Sequence, residues 1–436
     1  MVGVDVSMSV SWRRRTIAPL LGVVIIGAAA PVSGQQVSSA AGARNFVITA
    51  TVDTLYDSNV IRGTQLNPLN PQAHTDDFRV SPSLYAVYNR STGRLALTAN
   101  GLVGYDFFRY NKYLNSNRYS GGGSLTYYSG SRCQVAVMGN VSSRQDGIRD
   151  FGTPVLDPAG TPTDTAGTVI DNVEMASSYG GNFGCGTPTG RLTFGGGYTH
   201  SAVSNASALR KFGNSENDTY TGNIGIGILQ PGQVSLNGSY STIAYPNRGL
   251  GSLVNGIPPQ LVNSGVATYR VGITVSRPIG NRLSGRIGAS FLHADPSGGQ
   301  AAYSSPAYTL GLTYTPTARL SATLSGSRDI SPSANVGALY SVTDQVLADV
   351  RYTLGRSITL NANAGLVKEN YKQGFAIPGE PARGADTTTT YGVGIGFHPR
   401  SLFDVNLNVS QSIRHSTPPI FNYRSTRVGL TLAVHI

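Results

Sequence analysis

Six histidines, two cysteines and a sparse set of charged residues are the groups that could do chemistry in this chain. His74, His200, His293, His398, His415 and His435 show none of the short spacings that place two ligands on one metal ion. No G-x-S-x-G elbow offers a serine nucleophile. Gly392, Gly394 and Gly396 alternate as in a strand instead of clustering as a phosphate loop. The expectation is therefore no enzyme, no cofactor and no metal, with a barrel lipase built from dispersed residues as the one catalytic alternative.

Cys133 opens one strand-like segment and Cys185 closes the next. Pairing them centres the register on residue 159, the middle of the intervening loop 147–172. Directly opposed strand residues come within bonding reach, so a cross-strand disulfide is expected. Two unrelated cysteines are the other reading.

The elements that hold these residues must be strands. Of 436 residues only 13% are charged, about half of the roughly 25% usual for a soluble domain. Mean hydropathy is −0.09, and beyond residue 34 no apolar run reaches the roughly 18 residues of a helical membrane span. The 54 glycines, with abundant Thr, Ser and Asn, disfavour a helical bundle. The 40% apolar content, set in patterned segments, excludes disorder.

At the N-terminus, Arg13, Arg14 and Arg15 precede an apolar run over residues 17–30 and then Pro31-Val32-Ser33-Gly34. This order reads as a secretory signal over residues 1–34, leaving 35–436 as one barrel. An anchor helix and a twin-arginine signal fit less well, and Met8 offers a second start. Removing three arginines and Asp5 takes the net charge from +11 to +9 (11 − 3 + 1). The remaining arginines are scattered singly, so nucleic acid is not an expected partner.

From residue 45 the pattern has period two. Phe46, Ile48, Ala50 and Val52 alternate with polar neighbours, as do Leu192, Phe194 and Tyr198, and Phe403, Val405, Leu407 and Val409. Successive strand side chains point to opposite faces, so each strand meets one apolar and one small polar environment. Short connections carrying Pro or Gly, often with Arg, alternate with long polar ones. Eight short turns and nine long loops make eighteen strands, from 45–57 to 423–436. An even count with both ends on the short-turn side is the pattern of a bacterial outer-membrane barrel, with short periplasmic turns and longer extracellular loops. A soluble propeller or β-helix fits worse, because its strands are covered on both faces.

In hydrocarbon every backbone polar group must be paired within the protein, so the apolar face belongs outside a closed barrel. Val428, Leu430, Leu432, Val434 and Ile436 form one face of a closing strand. It resembles the signal read by the barrel-insertion machinery, which usually ends in an aromatic residue and here ends in Ile436. Tyr105, Phe107, Tyr110, Tyr127, Tyr198, Tyr240, Tyr352 and Tyr391 suit interfacial girdles.

Alternation places Arg270, Arg286, Arg351 and Arg427 inside, with Asp106, Asp349 and Asp404. They either line a diffusion channel and favour small anionic solutes or form structural pairs along the wall, such as Asp349 with Arg351. The third long loop carries Asp150, Asp157, Asp164 and Asp171 against Arg149. It resembles the inward-folded constriction loop of general porins, and a surface loop is the equal alternative.

Tyr56-Asp57-Ser58-Asn59-Val60-Ile61-Arg62 resembles the "DSN-hydrophobic-x-R" segment of the β-barrel porin 2-like family. This family of outer-membrane barrels is common in alphaproteobacteria and often accompanies exopolysaccharide loci. The resemblance implies an outer-membrane barrel with a role in polysaccharide secretion, and it singles out Asp57, Asn59 and Arg62. A loop-ordering hydrogen-bond cluster is the alternative role for these three.

Together these readings predict a Gram-negative outer-membrane channel in contact with membrane lipid and lipopolysaccharide. It would export exopolysaccharide or pass small hydrophilic solutes. The alternative is a non-conducting structural or adhesive barrel.

Overall fold

The computed structural model describes residues 46–60, 74–130, 132–145, 155–156, 162–163, 172–186, 192–207, 211, 213–227, 232–247, 265–297, 301–332, 338–372, 384–400, 402–417 and 419–436. The barrel strands are β1 (Phe46–Asp57), β2 (Asp77–Thr92), β3 (Leu95–Phe108), β4 (Ser116–Ser129), β5 (Cys133–Gln145), β6 (Val173–Cys185), β7 (Leu192–Asn205), β8 (Ser215–Ile226) and β9 (Gln233–Ala244). The second half continues with β10 (Gly265–Ile279), β11 (Leu283–Pro296), β12 (Tyr303–Thr317), β13 (Leu320–Pro332), β14 (Tyr340–Leu354), β15 (Ile358–Lys372), β16 (Ala385–Arg400), β17 (Phe403–Thr417) and β18 (Tyr423–His435). Each strand pairs antiparallel with its sequence neighbours, and β1 pairs with β18, so the eighteen-stranded sheet closes on itself.

Among the described residues there is no α-helix; 3₁₀ turns lie at Lys112–Leu114 and Pro419–Phe421. Among the described residues no helix is long and apolar enough to cross a membrane, which leaves crossing by strands untouched. The short turns close tightly where glycine accepts a left-handed backbone, as at Gly93 (φ 56°) and Gly355 (φ 68°).

The distribution of apolar side chains is inverted relative to a soluble domain. Ile287, Val393 and Val103 stand 62%, 61% and 60% exposed, and most of the other large apolar side chains of the sheet take the same outward parity, with Met138 and Leu347 on the opposite one. The opposite parity is polar and small. On β1, for example, Phe46, Val52 and Tyr56 are exposed while Thr49 and Asp57 are buried. Among the described residues no dry centre is formed between the strands. The buried apolar clusters lie at the loop end instead, one around Tyr245, Leu339 and Tyr340 and a second around Val60, Phe108 and Leu114. The Tyr245 hydroxyl donates to the Leu339 carbonyl at 2.5 Å and so ties two loops together above β9–β14. Leaving dozens of large apolar side chains in water would be strongly unfavourable, whereas hydrocarbon around a closed barrel satisfies both the side chains and the backbone.

Candidate functional site

The inner wall is built by whichever residue of each pair faces away from the apolar skin. Pairing partners across an antiparallel ladder share a face. One polar row can therefore be followed through Asn363↔Gly392, Gly392↔Ser410, Ser410↔Arg427, Arg427↔Asp57 and Asp57↔Asp77. On β7, β8 and β9 the inward positions, such as Thr199, Asn217, Thr221, Asn237 and Ser239, carry no charge. They hydrogen-bond to one another, as in Ser241 Oγ to Asn217 Oδ1 (2.5 Å) and Asn237 Nδ2 to Thr274 Oγ1 (3.0 Å).

The charged residues on the inner face divide into two groups. Arg270 is held on the wall, its Nε donating to Ser290 (2.9 Å), Nη2 to Thr309 (3.1 Å) and Nη1 to Asp329 (3.1 Å) three strands away. Asp106 lies 4.0 Å from both Arg79 and Arg118, and Arg118 also reaches Asp53 at 3.7 Å. Arg427 pairs with Asp57 at 3.0 Å, Arg144 with Glu174 at 2.6 Å, and Arg414 with Asp386. Asp404 is bracketed by His398 Nδ1 (2.7 Å) and His435 Nε2 (2.9 Å), and Thr49 completes the chain on His435 Nδ1 (3.0 Å). By contrast Arg286, Arg351 and Asp349 are exposed on the inner face with no ion-pair or hydrogen-bond partner among the described residues. The pairing of Asp349 with Arg351 that their spacing suggests is not formed. Arg79, Arg118 and the two histidines were not singled out in the sequence, although alternation alone places all four inside.

The Asp57-Ser58-Asn59 segment sits where the chain's first strand meets its last. Asp57 Oδ1 accepts from the Asn59 N–H (3.0 Å) and the Ser425 hydroxyl (2.6 Å), and Oδ2 accepts from Arg427 Nε (3.0 Å). Ser58 N–H donates to the Thr426 carbonyl (2.9 Å), and the Thr426 N–H returns a bond to Ser58 Oγ (2.8 Å). Asn59 Nδ2 reaches the Arg424 carbonyl (3.2 Å). Strands more than 360 residues apart in sequence are thereby stitched at the loop end, beyond the ladder that runs from Thr49↔His435 to Asp57↔Arg427. Arg62, the third residue of the motif, lies outside the described residues.

A second carboxylate organises the adjacent loop. Asp77 accepts the backbone N–H groups of Arg109, Tyr110 and Asn111 and the Asn111 side chain, at 2.8 to 3.1 Å. Tyr113 donates to Asn111 Oδ1. Burial first, and the nearby Asp77 charge second, push its phenol up to about 12.

Cys133 and Cys185 are paired residues of β5 and β6, bonded through sulfur with Cα atoms 4.1 Å apart, at the short-turn rim on the outward parity. Asp150, Asp157, Asp164 and Asp171 of the third long loop lie outside the described residues, as do residues 1–34. No group of His, Cys, Asp or Glu suited to a metal occurs among the described residues.

An apolar skin around a closed, polar-lined ring of eighteen antiparallel strands defines the class as an outer-membrane-type β-barrel. Over residues 260–436, which hold its last nine strands, the chain matches the family described as "Putative beta-barrel porin 2". The match begins beyond the Asp57-Ser58-Asn59 segment. No curated protein matches the chain.

Among solved structures, the FrpB iron transporter of Neisseria meningitidis (F3-3 variant) aligns over 86% of this chain and 63% of its own, at 11% identity and a TM-score of 0.47. The chain thus spans less than two thirds of that transporter. The ferric enterobactin receptor PfeA of Pseudomonas aeruginosa aligns over 89% and 81%, at 8% identity and 0.44. The ferric-catecholate import receptor Fiu of E. coli K12 aligns over 90% and 82%, at 9% and 0.44.

Proposed function

We propose that this protein is an outer-membrane channel for hydrophilic solutes, made with a cleaved leader over residues 1–34 and inserted from the periplasm by the barrel-insertion machinery. The observation that carries the reading is the predominantly polar inner wall of the closed ring of eighteen strands, broken by a few apolar side chains such as Met138 and Leu347. Barrels of about 16–18 strands enclose a water-filled lumen, and small inward residues on β7–β9 leave that lumen wide. Within this class the exopolysaccharide association of the family favours a polymer cargo, with small hydrophilic solutes as the simpler alternative.

Most inner-wall arginines are neutralised by neighbouring carboxylates. On the strand wall, Arg286 and Arg351 lack such partners among the described residues and favour anionic solutes.

Conductance of the purified protein in planar bilayers tests the reading. Stable unitary steps are expected. A trace that stays closed at all voltages would instead support a non-conducting structural barrel, the reading favoured by the apolar clusters that join loops at the extracellular end.

A further inference from the structure

The short turns carry a charge pattern that the channel reading alone does not use. None of the eight contains Asp or Glu, and in five of them an arginine immediately precedes the first residue of the ascending strand: Arg94, Arg132, Arg282 and Arg319, and Arg191, which lies outside the described residues. The first four occupy the same place in the sheet. The Arg94 carbonyl accepts the Tyr128 N–H (2.8 Å), that of Arg132 the Gly186 N–H (2.8 Å), that of Arg282 the Thr315 N–H (2.7 Å) and that of Arg319 the Thr353 N–H (2.8 Å). Each bond extends a ladder by one pair beyond Leu95↔Tyr127, Cys133↔Cys185, Leu283↔Tyr314 and Leu320↔Tyr352. Leu95 and its counterparts take the outward parity, so one residue earlier the alternation turns each arginine to the lumen side of the rim. All four are exposed, and none has an ion-pair partner among the described residues.

The wall just above the rim adds to this field. Arg286 lies four residues beyond Arg282 on the same face of β11, and Arg351 pairs with Ser321, two residues beyond Arg319. The carboxylates at this end are Asp349 and Asp404, and the second is engaged by His398 and His435. At the loop end, by contrast, Asp57, Asp106, Asp386 and Glu174 each face an arginine partner.

We propose that these arginines form a cationic collar at the short-turn mouth that captures polyanionic chains, such as a carboxylated polysaccharide, on the periplasmic side. The cargo identity rests on the channel reading; the collar itself does not. A charged mouth with low-dielectric walls concentrates oppositely charged solute. Arginine also pairs bidentately with carboxylate and stays charged at any working pH. Anionic lipid headgroups are a weaker fit, because the four side chains take the lumen parity, whereas Arg90 and Arg277 take the lipid-facing one.

The test uses the full barrel in nanodiscs of zwitterionic phosphatidylcholine, with fluorescent oligomannuronate as the probe and anisotropy as the readout. The wild type is expected to bind. The combined Arg94→Gln, Arg132→Gln, Arg282→Gln and Arg319→Gln variant should bind about tenfold or more weakly, the scale on which focused charge acts. Arg90→Gln with Arg277→Gln should bind like the wild type, and neutral maltodextrin should not compete.

Should the fourfold variant fail to fold, Arg94→Gln and Arg282→Gln singly, with a salt titration of the wild type, decide the matter. Binding must weaken between about 0.01 M and about 0.1 M salt, as the screening length falls from about 30 to about 10 Å. No wild-type binding, a variant that binds unchanged, equal loss in the Arg90/Arg277 variant, or indifference to salt each overturns the collar. Retention of phosphatidylglycerol without oligomannuronate binding would assign the arginines to lipid instead. A non-conducting barrel that still binds the probe would sink the channel reading and leave the collar standing.

Discussion

Replacing Asp57 tests whether the seam between the first and last strands is held by its side chains. The carboxylate is 5% exposed and accepts at least three bonds, from Asn59 N–H, Ser425 Oγ and Arg427 Nε. Asp57→Ala strands a buried hydroxyl and a backbone N–H, at about 1–3 kcal/mol for each donor left unsatisfied. Arg427 is 43% exposed and can be rehydrated, so its share is discounted to the surface range of about 0–1 kcal/mol. The expected loss is about 2–7 kcal/mol. Asp57→Asn keeps an acceptor oxygen for Asn59 and Ser425 and loses mainly the ion pair, so it should cost about 1 kcal/mol or less.

The chain's single tryptophan, Trp12, precedes the first barrel strand and does not report on the barrel. Guanidinium unfolding of the vesicle-refolded barrel is therefore followed by far-UV circular dichroism and gel mobility. Equal losses for the two variants would refute the argument that neutral acceptors carry the seam. A loss below about 0.5 kcal/mol for Asp57→Ala, the range of an ordinary surface substitution, would refute the clamp altogether.

Other outcomes follow from the same geometry. Asp77→Ala should free the segment around Arg109–Lys112, giving new tryptic cuts after these two residues that the wild type resists, because four bonds to one carboxylate are lost. Reduction of Cys133–Cys185, 52 residues apart, should lower stability by up to about 4 kcal/mol, seen as a shifted unfolding midpoint with and without reductant. Gly272→Ala places a methyl 2.3 Å from Ser290 Cβ and 2.5 Å from the Ala289 carbonyl, whereas at Gly222 nothing lies within 4 Å. The first should therefore cost about 1–3 kcal/mol and the second far less, measured by the same unfolding assay.

The architecture was legible because a strand's period of two exposes both environments directly in the sequence. Segments such as 77–89 and 340–354 were recognisable from alternation and turn residues, and the latter matches β14 to the residue. Ladder extensions account for the differences, since β2 continues to Thr92 and β16 to Arg400. The opposition of Cys133 and Cys185 was also readable, because two adjacent strands and one loop fix its register. Parity likewise placed Arg270, Arg286, Arg351 and Arg427 inside.

Which of those four is neutralised was not readable. Arg270 meets Asp329 only because strand tilt brings β10 and β13 side chains together across two intervening strands. Asp349 and Arg351, although close in sequence, are both exposed and form no pair with each other. Least legible was the role of Asp57, whose partners Ser425 and Arg427 stand at the far end of the chain. Local pattern determines how each strand presents its faces. Only the closure of the ring, a long-range event with no local sequence period, decides which charges meet across the seam and which remain free to act on a solute.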